Sequence, residues 1–214
     1  MSASFPSYSR AELIADGAVH AVGVIASLAA AAILVAVALT HLPAGAAMSV
    51  MIYCAGMLAV FCCSAAYNLS SGPRRWLLQR FDHAAIYVKI AATYTPFAAI
   101  KMGGTAGFAL LAVVWGVALL GAAAKLTIPG QFVRTSYVLY LAQGWACVFT
   151  LQPLLASLSA TTALLLVIGG VLYTVGVVFH LWQRLPYNNA IWHGFVLVAS
   201  ACHFGAVVEA VVLS

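Results

Sequence analysis

Charged side chains are nearly absent: nine Lys and Arg and four Asp and Glu stand among 214 residues, 6% in all. A soluble domain carries about a quarter charged residues, because its surface must be solvated. A water-soluble globule is therefore excluded, and with 65% of residues hydrophobic so is a disordered chain. The sequence also has no CxxC pair. Cys54, Cys62, Cys63, Cys147 and Cys202 are odd in number and lie inside apolar runs, which speaks against a disulfide scaffold and for packing as small hydrophobes. The formal net charge of +5 does not point to nucleic acid as a partner. In so apolar a chain the basic residues carry topology information instead. The first apolar run, about 17–40, is too long for a signal-peptide core and has no convincing cleavage context.

What fills the chain is long hydrophobic segments. A bilayer-crossing helix needs about 20 mostly apolar residues. Seven stretches qualify, at roughly 17–40, 46–69, 82–100, 106–125, 135–152, 161–182 and 190–212. They are continuous and rich in Ala and Leu, without the alternation of a membrane β-barrel. The expected fold is an all-α integral membrane protein, a single seven-transmembrane-helix bundle over residues 1–214, with no room for a soluble domain. Pro43, Pro73, Pro129, Pro153 and Pro186 fall in five of the six expected connections, where a missing N–H costs least. Pro96 lies inside the third span and should kink it, with Thr93 and Thr95 near enough to satisfy the freed carbonyl. Arg10, Arg74, Arg75, Arg80, Lys125, Arg134 and Arg184 lie on the side of the N-terminus, and Lys101 lies opposite. That asymmetry predicts a cytoplasmic N-terminus and an outer C-terminus. The Arg74–Arg75–Arg80 loop serves chiefly to set it. The expected location is a bacterial inner membrane, crossed several times.

Ionisable groups within spans need a partner or a function. Glu12, Asp16 and His20 form one stripe at the cytoplasmic end of the first helix. Ser64 and Asn68 end the second helix, Asp82 and His83 begin the third, His180 ends the sixth, and Asn189 and His193 begin the seventh. All lie within about two turns of the inner boundary, which predicts a polar layer or cavity just beneath the cytoplasmic face. Lys89 stands roughly 10 Å deeper than Asp82 on the same helical face, so it needs a buried partner or a water-lined pocket. His41 falls in an outer loop. His203, near the middle of the seventh span, reads as a core histidine bonded to a backbone carbonyl, and His83 and His180 as snorkelling or paired groups.

Taken together, Glu12–Asp16–His20, Ser64-Ala-Ala-Tyr67-Asn68, Asp82-His83 leading to Thr93-Tyr94-Thr95-Pro96-Phe97, Asn189-Ala-Ile-Trp-His193 and Cys202-His203-Phe204 resemble the hemolysin III family, which groups with the progestin and adipoQ receptors. The resemblance runs through nearly the whole chain. It implies a zinc ion in the inner half of the bundle, held by one histidine on helix two and two at the start of helix seven, with an aspartate orienting a metal-bound water. Position by position, Ser64 matches the family's serine, Asp82 its aspartate and His193 its last histidine. Asn68 and Asn189 stand at the other two ligand positions. Amides are poor zinc ligands, so the resemblance leads to a metal-free hydrogen-bonded cluster. A rearranged zinc site using His20, Asp82 and His193 is the alternative.

Two classes of function follow. The first is non-enzymatic: membrane-lipid homeostasis, sensing or membrane perturbation (cytolysis). The second is zinc-dependent hydrolysis of a lipid amide such as a ceramide, with Asp82 accepting a proton from metal-bound water and Ser64 holding the water or oxyanion. A proton or ion path through Asp16, Asp82, Lys89 and His193 is a further alternative. Membrane lipid is the expected partner in each case. Neither the cysteines nor the apolar exterior distinguishes a monomer from an oligomer.

Overall fold

The structure is a computed structural model that describes residues 8–128 and 133–213, the side chains of 133 and 134 excepted. Pro129 and the Arg134 side chain thus lie outside what is described. Helix α1 runs from Arg10 to His41 and is started by a capping box: Glu12 N–H donates to Ser9 Oγ at 3.3 Å, and Ser9 N–H to the Glu12 carboxylate at 2.8 Å. Pro43 separates it from α2, Ala44–Asn68. Helix α3, Arg75–Pro96, continues as a wider π turn over Phe97–Met102. The chain then reverses at Gly103 and Gly104, whose φ angles of 56° and 55° favour glycine. Helix α4 is Gly104–Thr127, and α5 is Val133–Gly144. A 3-10 turn, Ala146–Thr150, joins α5 to α6, Leu151–Ser157. Helix α7, Ala160–Leu181, is capped by Ser159, and α8, Asn188–Val208, ends in a π turn to Leu213.

No strand occurs among the described residues. Six segments of the described residues are long and apolar enough to cross a membrane: α1, α2, α4, Thr135–Ser157, α7 and Asn188–Leu213. The outer surface is correspondingly apolar, with Ile25, Leu120 and Phe149 exposed. In water such a surface would be a liability, and in hydrocarbon it needs no cover. Helix α3 is the exception. Arg75, Arg80, Asp82 and Lys89 dilute its apolarity, and it lies between α2 and α4 with Tyr87, Lys89, Ala91 and Ala92 buried.

One apolar core joins α1, α2, α3 and α8 around Leu34, Val50, Tyr53, Met57 and Val207. A second joins α3, α4 and α5 around Tyr87, Leu110 and Val114. Helix α7 packs along α8 and touches α5 only lightly, which leaves a thin seam between α5 and α7. At the ends of the bundle, Arg75 lies over the Tyr67 ring and Arg80 over Trp76, and Arg80 also donates to the Leu126 carbonyl at 3.0 Å. Arg75 and Arg80, expected in a loop, stand instead in the first turns of α3 and pin it to α2 and α4.

Several expectations change. Pro153 is not in a connection but in the first turn of α6, where an N–H has no helical partner to lose. The fifth segment accordingly reaches Ser157 instead of stopping near 152. His41 is the last residue of α1 instead of part of a loop. Thr93 and Thr95 do back-bond to the helix, but to the carbonyls of Lys89 (2.8 Å) and Ala91 (3.0 Å), not to that of Ala92, which Pro96 deprives of its donor. Thr95 Oγ1 also accepts from Trp115 Nε1 at 3.1 Å and so ties α4 to the proline turn.

The tightest backbone approach in this region is Gly107 on α4, where a Cβ would sit 2.2 Å from the Ala98 carbonyl oxygen. Backbone cannot yield as a flexible side chain does. Gly107→Ala is expected to cost about 1–3 kcal/mol of stability, read as a lowered melting temperature in detergent. Gly45→Ala, where nothing lies within 4 Å, should be neutral or mildly stabilising.

Candidate functional site

Three helices converge at the end of the bundle that holds the α1 N-terminus. Asp16 and His20 are one turn apart on α1, as are Ser64 and Asn68 on α2 and Asn189 and His193 on α8. Asp16 is 5% exposed and His20 4%. The Asp16 carboxylate receives His193 Nδ1 at 2.7 Å on one oxygen and Asn189 Nδ2 at 3.0 Å on the other. Its backbone carbonyl receives His20 Nδ1 at 2.8 Å. Asn189 Nδ2 also donates to Asn68 Oδ1 at 3.3 Å, and Asn68 Nδ2 donates to the Ser64 carbonyl at 3.0 Å and to Ser64 Oγ at 3.3 Å.

Donor counting then constrains the centre of the cluster. A carbonyl and a carboxylate only accept, so both imidazoles carry their proton on Nδ1. Their Nε2 atoms both face Ser64 Oγ, from His20 at 3.2 Å and from His193 at 3.4 Å. The two rings meet edge to face with centroids 4.2 Å apart. Asp82 on α3, also buried, interacts with the same hydroxyl and at longer range with His193. Ser64 has one proton for three acceptors. It can therefore donate to one of them at a time.

The expected polar layer thus resolves into parts. Asp16, His20, Ser64, Asn68, Asn189 and His193 come together, and Asp82 borders them through Ser64. The carboxylate at the hub is Asp16, not Asp82. Glu12 stays at the rim, where its carboxylate accepts the Tyr187 N–H at 2.9 Å and ties the start of α1 to the residue preceding α8. Tyr187 is the only non-glycine residue with positive φ among those described, at 60°. His83 is outside the cluster, its ring set edge-on to Tyr67 at 6.5 Å. His180 pairs with the Tyr137 hydroxyl at 3.1 Å. His203 Nε2 meets the Leu166 carbonyl at 3.3 Å, in line with the core reading. Lys89 reaches the Tyr173 hydroxyl at 2.6 Å, and that hydroxyl lies 2.6 Å from Ser200 Oγ. Sequence reasoning missed Tyr173 and Ser200. Their signal was present: Tyr173 is seven residues before His180 and Ser200 seven after His193, hence on the same helical faces.

A cavity of about 860 Å³ runs from this cluster along α3 and α7, within the range of roughly 300–1,000 Å³ usual for ligand pockets. His20, Ser64, Asp82 and His193 line one end; Phe97, Leu151, Leu155 and Val167 line another part of the wall.

A helical bundle with an apolar exterior, and a buried polar cluster opening onto a largely apolar cavity, defines a multi-pass integral membrane protein. Within that class the chain matches the haemolysin-III related family over residues 11–204, and it belongs to that family. It is 39% identical over 194 residues to a "Hemolysin-3 homolog" of Bacillus subtilis, covering 90% of this chain and 91% of the relative. It is 38% identical to "Hemolysin-3" of Bacillus cereus, covering 90% and 89%. More distantly, the human "Monocyte to macrophage differentiation factor" is 28% identical over 164 residues, covering 73% and 67%.

The three-histidine zinc set implied by the family resemblance does not fit these residues, because Asn189 donates to Asp16 and to Asn68, and Asn68 donates to Ser64. A different set does fit. Asp16, His20 and His193 each offer one ligand atom within 4.8 Å of the others, and two imidazoles with one carboxylate are a donor set that zinc accepts.

The hub carries a measurable share of stability. Asp16→Ala leaves the Asn189 amide and His193 Nδ1 without their acceptor, and is expected to cost about 1–3 kcal/mol. Asp16→Asn, which keeps one acceptor, should lose less. Thermal unfolding of the purified variants in detergent checks the order.

Proposed function

We propose that this protein binds a membrane lipid inside its bundle, with the lipid's polar portion at the Asp16–His20–Ser64–His193 cluster and its chain along the apolar wall, and that it acts through this binding in membrane-lipid homeostasis or sensing. The observation that carries the reading is the cavity itself. It is polar at the cluster end, and leucine, phenylalanine and valine make up much of the remaining wall, with Lys89, Tyr173 and His203 set among them; it lies beside the thin α5–α7 seam through which a chain can enter sideways. A soluble polar ligand has no use for such a wall, whereas an acyl chain passes into it from the bilayer without exposing methylenes to water, each of which would cost about 0.8 kcal/mol.

In the bilayer we take α3 as the seventh span. Asp82 and Lys89 are buried where it lies between α2 and α4, and the half-buried Arg75 and Arg80 stand at its start. The excess of Arg and Lys on the side of Arg10 puts the N-terminus in the cytoplasm and the C-terminus outside, in the inner membrane of a bacterium. Reporter fusions are expected to give a cytoplasmic signal after Arg75 and an external one at the C-terminus. The reverse pattern would overturn this topology.

A second reading, hydrolysis of a lipid amide, draws on the Asp16, His20 and His193 grouping. Those residues would hold a zinc ion, which supplies Lewis acidity and a more acidic bound water. Asp82 and Ser64 would then hold and orient the proton being transferred. One preparation separates the readings. Protein extracted in mild detergent should retain about one lipid per chain by native mass spectrometry, a stoichiometry that follows from the size of the cavity. Loss of all lipid under those conditions would sink the first reading. Zinc at one equivalent that disappears in His193→Ala, with fatty acid released from a lipid amide, would establish the second. For membrane perturbation, dye release from liposomes at defined protein-to-lipid ratio is the readout, and the lipid-binding reading expects none.

A further inference from the structure

Lys89 is the one cation in the interior of the bundle among the described residues, and it is 5% exposed. It stands on α3 about 10 Å along the helix from Asp82, away from the Asp16 hub, and it lines the cavity. Its ammonium has three protons to donate and no capacity to accept. The Tyr173 hydroxyl takes one at 2.6 Å, and the Tyr173 ring centroid lies 4.4 Å from Nζ. Tyr173 in turn is held by Ser200. No carboxylate pairs with Lys89: both ion pairs found among the described residues belong to Asp16. A buried cation that lacks a counter-charge in a membrane interior is costly, and a phenol is a weak substitute for an anion.

A second polar atom nearby is also incomplete. His203 packs against the same Tyr173 ring, with centroids 5.5 Å apart. Its Nε2 is engaged with the Leu166 carbonyl, which fixes the proton there, and its Nδ1 is buried without a hydrogen-bond partner. One side of this pocket therefore wants an acceptor of charge-assisted hydrogen bonds, and the other wants a donor. Both groups line the cavity.

We infer that Lys89, Tyr173, Ser200 and His203 form a carboxyl-binding subsite within the membrane cavity, and that its ligand is a single-chain amphiphile ending in a carboxylic acid, such as a free fatty acid. The carboxyl group supplies what both orphans lack. Its oxygens accept from Lys89 Nζ, and the acid proton that the group carries when it enters from hydrocarbon moves to His203 Nδ1: one carboxyl O–H bond breaks, one imidazole N–H bond forms, and the carboxylate is left hydrogen-bonded to the Lys89 ammonium and the His203 imidazolium. The apolar wall of Phe97, Leu151, Leu155 and Val167 receives the chain. The inference rests on the reading that the cavity holds a lipid, and for a single-chain acid it places the polar end at Lys89 instead of at the Asp16 hub.

The test compares palmitic acid with its methyl ester, which has the same chain and the same carbonyl but can neither ionise nor donate. Binding to the detergent-purified full-length protein is measured by displacement of a fluorescent fatty-acid analogue. The unmutated protein is expected to bind the acid about tenfold or more tightly than the ester, the ratio that one net charge-assisted contact supplies. In K89M the two should bind alike, the acid having fallen to the level of the ester. K89Q, which keeps a polar tip without the charge, should behave as K89M does, so the result does not hang on one variant's folding. Equal binding of acid and ester by the unmutated protein would overturn the subsite while leaving a lipid-binding cavity in place. Preference for the acid that survives in both variants would overturn the role of Lys89. Failure of both acid and ester to bind would remove the cavity reading and this inference together.

Discussion

The Asp16 carboxylate is the joint on which the bundle's polar end depends. It sits six residues into the first helix, yet its two oxygens hold Asn189 and His193 of the last, and the carbonyl behind it holds His20. In a low-dielectric interior each of these contacts is stronger than it would be in water, and each is correspondingly costly to leave unmade. The joint fixes the register between α1 and α8, and Ser64 and Asn68 then dock onto it from α2. Glu12 repeats the arrangement one turn nearer the surface by taking the Tyr187 backbone N–H. Two acidic side chains on one helix thus position everything at the start of another.

Much of the architecture was legible because membrane helices are written in long apolar runs. The connections at Pro43, Pro73 and Gly103–Gly104, the length of most helices and the convergence of α1, α2 and α8 on one polar layer can all be read from spacing. The fifth segment was harder. Pro153 reads as punctuation in a linear scan, but at the first turn of a helix a proline is tolerated, so α6 passes through it. The third segment was ambiguous for a different reason. Its charges lower its apolarity while its position inside the bundle buries two of them, Asp82 and Lys89, and a sequence window records only the first of these facts.

The choice of hub was not legible. Asp16 and Asp82 lie at similar depth, and helical periodicity cannot say which of two carboxylates faces a pair of histidines on a third helix. The family resemblance favoured Asp82. The asparagines at positions 68 and 189 shift that balance, because an amide both donates and accepts, and Asn189 uses its amino group on Asp16. Where imidazoles would have surrounded an ion, amides instead close a hydrogen-bonded ring, and Asp82 is left to share Ser64. The pairing of Lys89 with Tyr173 was only half legible: spacing puts Tyr173 on the helical face of His180, but the hydroxyl's position is what shows that it meets Lys89.

Helix α1 carries one more implication. At 32 residues it is about 48 Å long, whereas the oily slab of a typical bilayer is about 30 Å thick. So long a rod must lean or protrude. Protruding at the Arg10 end brings Asp16 toward the water boundary, and leaning carries the rod across its neighbours, with α2 and α8 held to the same slant by the contacts just described. A lean of this helix would thus be shared by the bundle, and would fit the molecule to a thinner membrane than an upright rod of the same length.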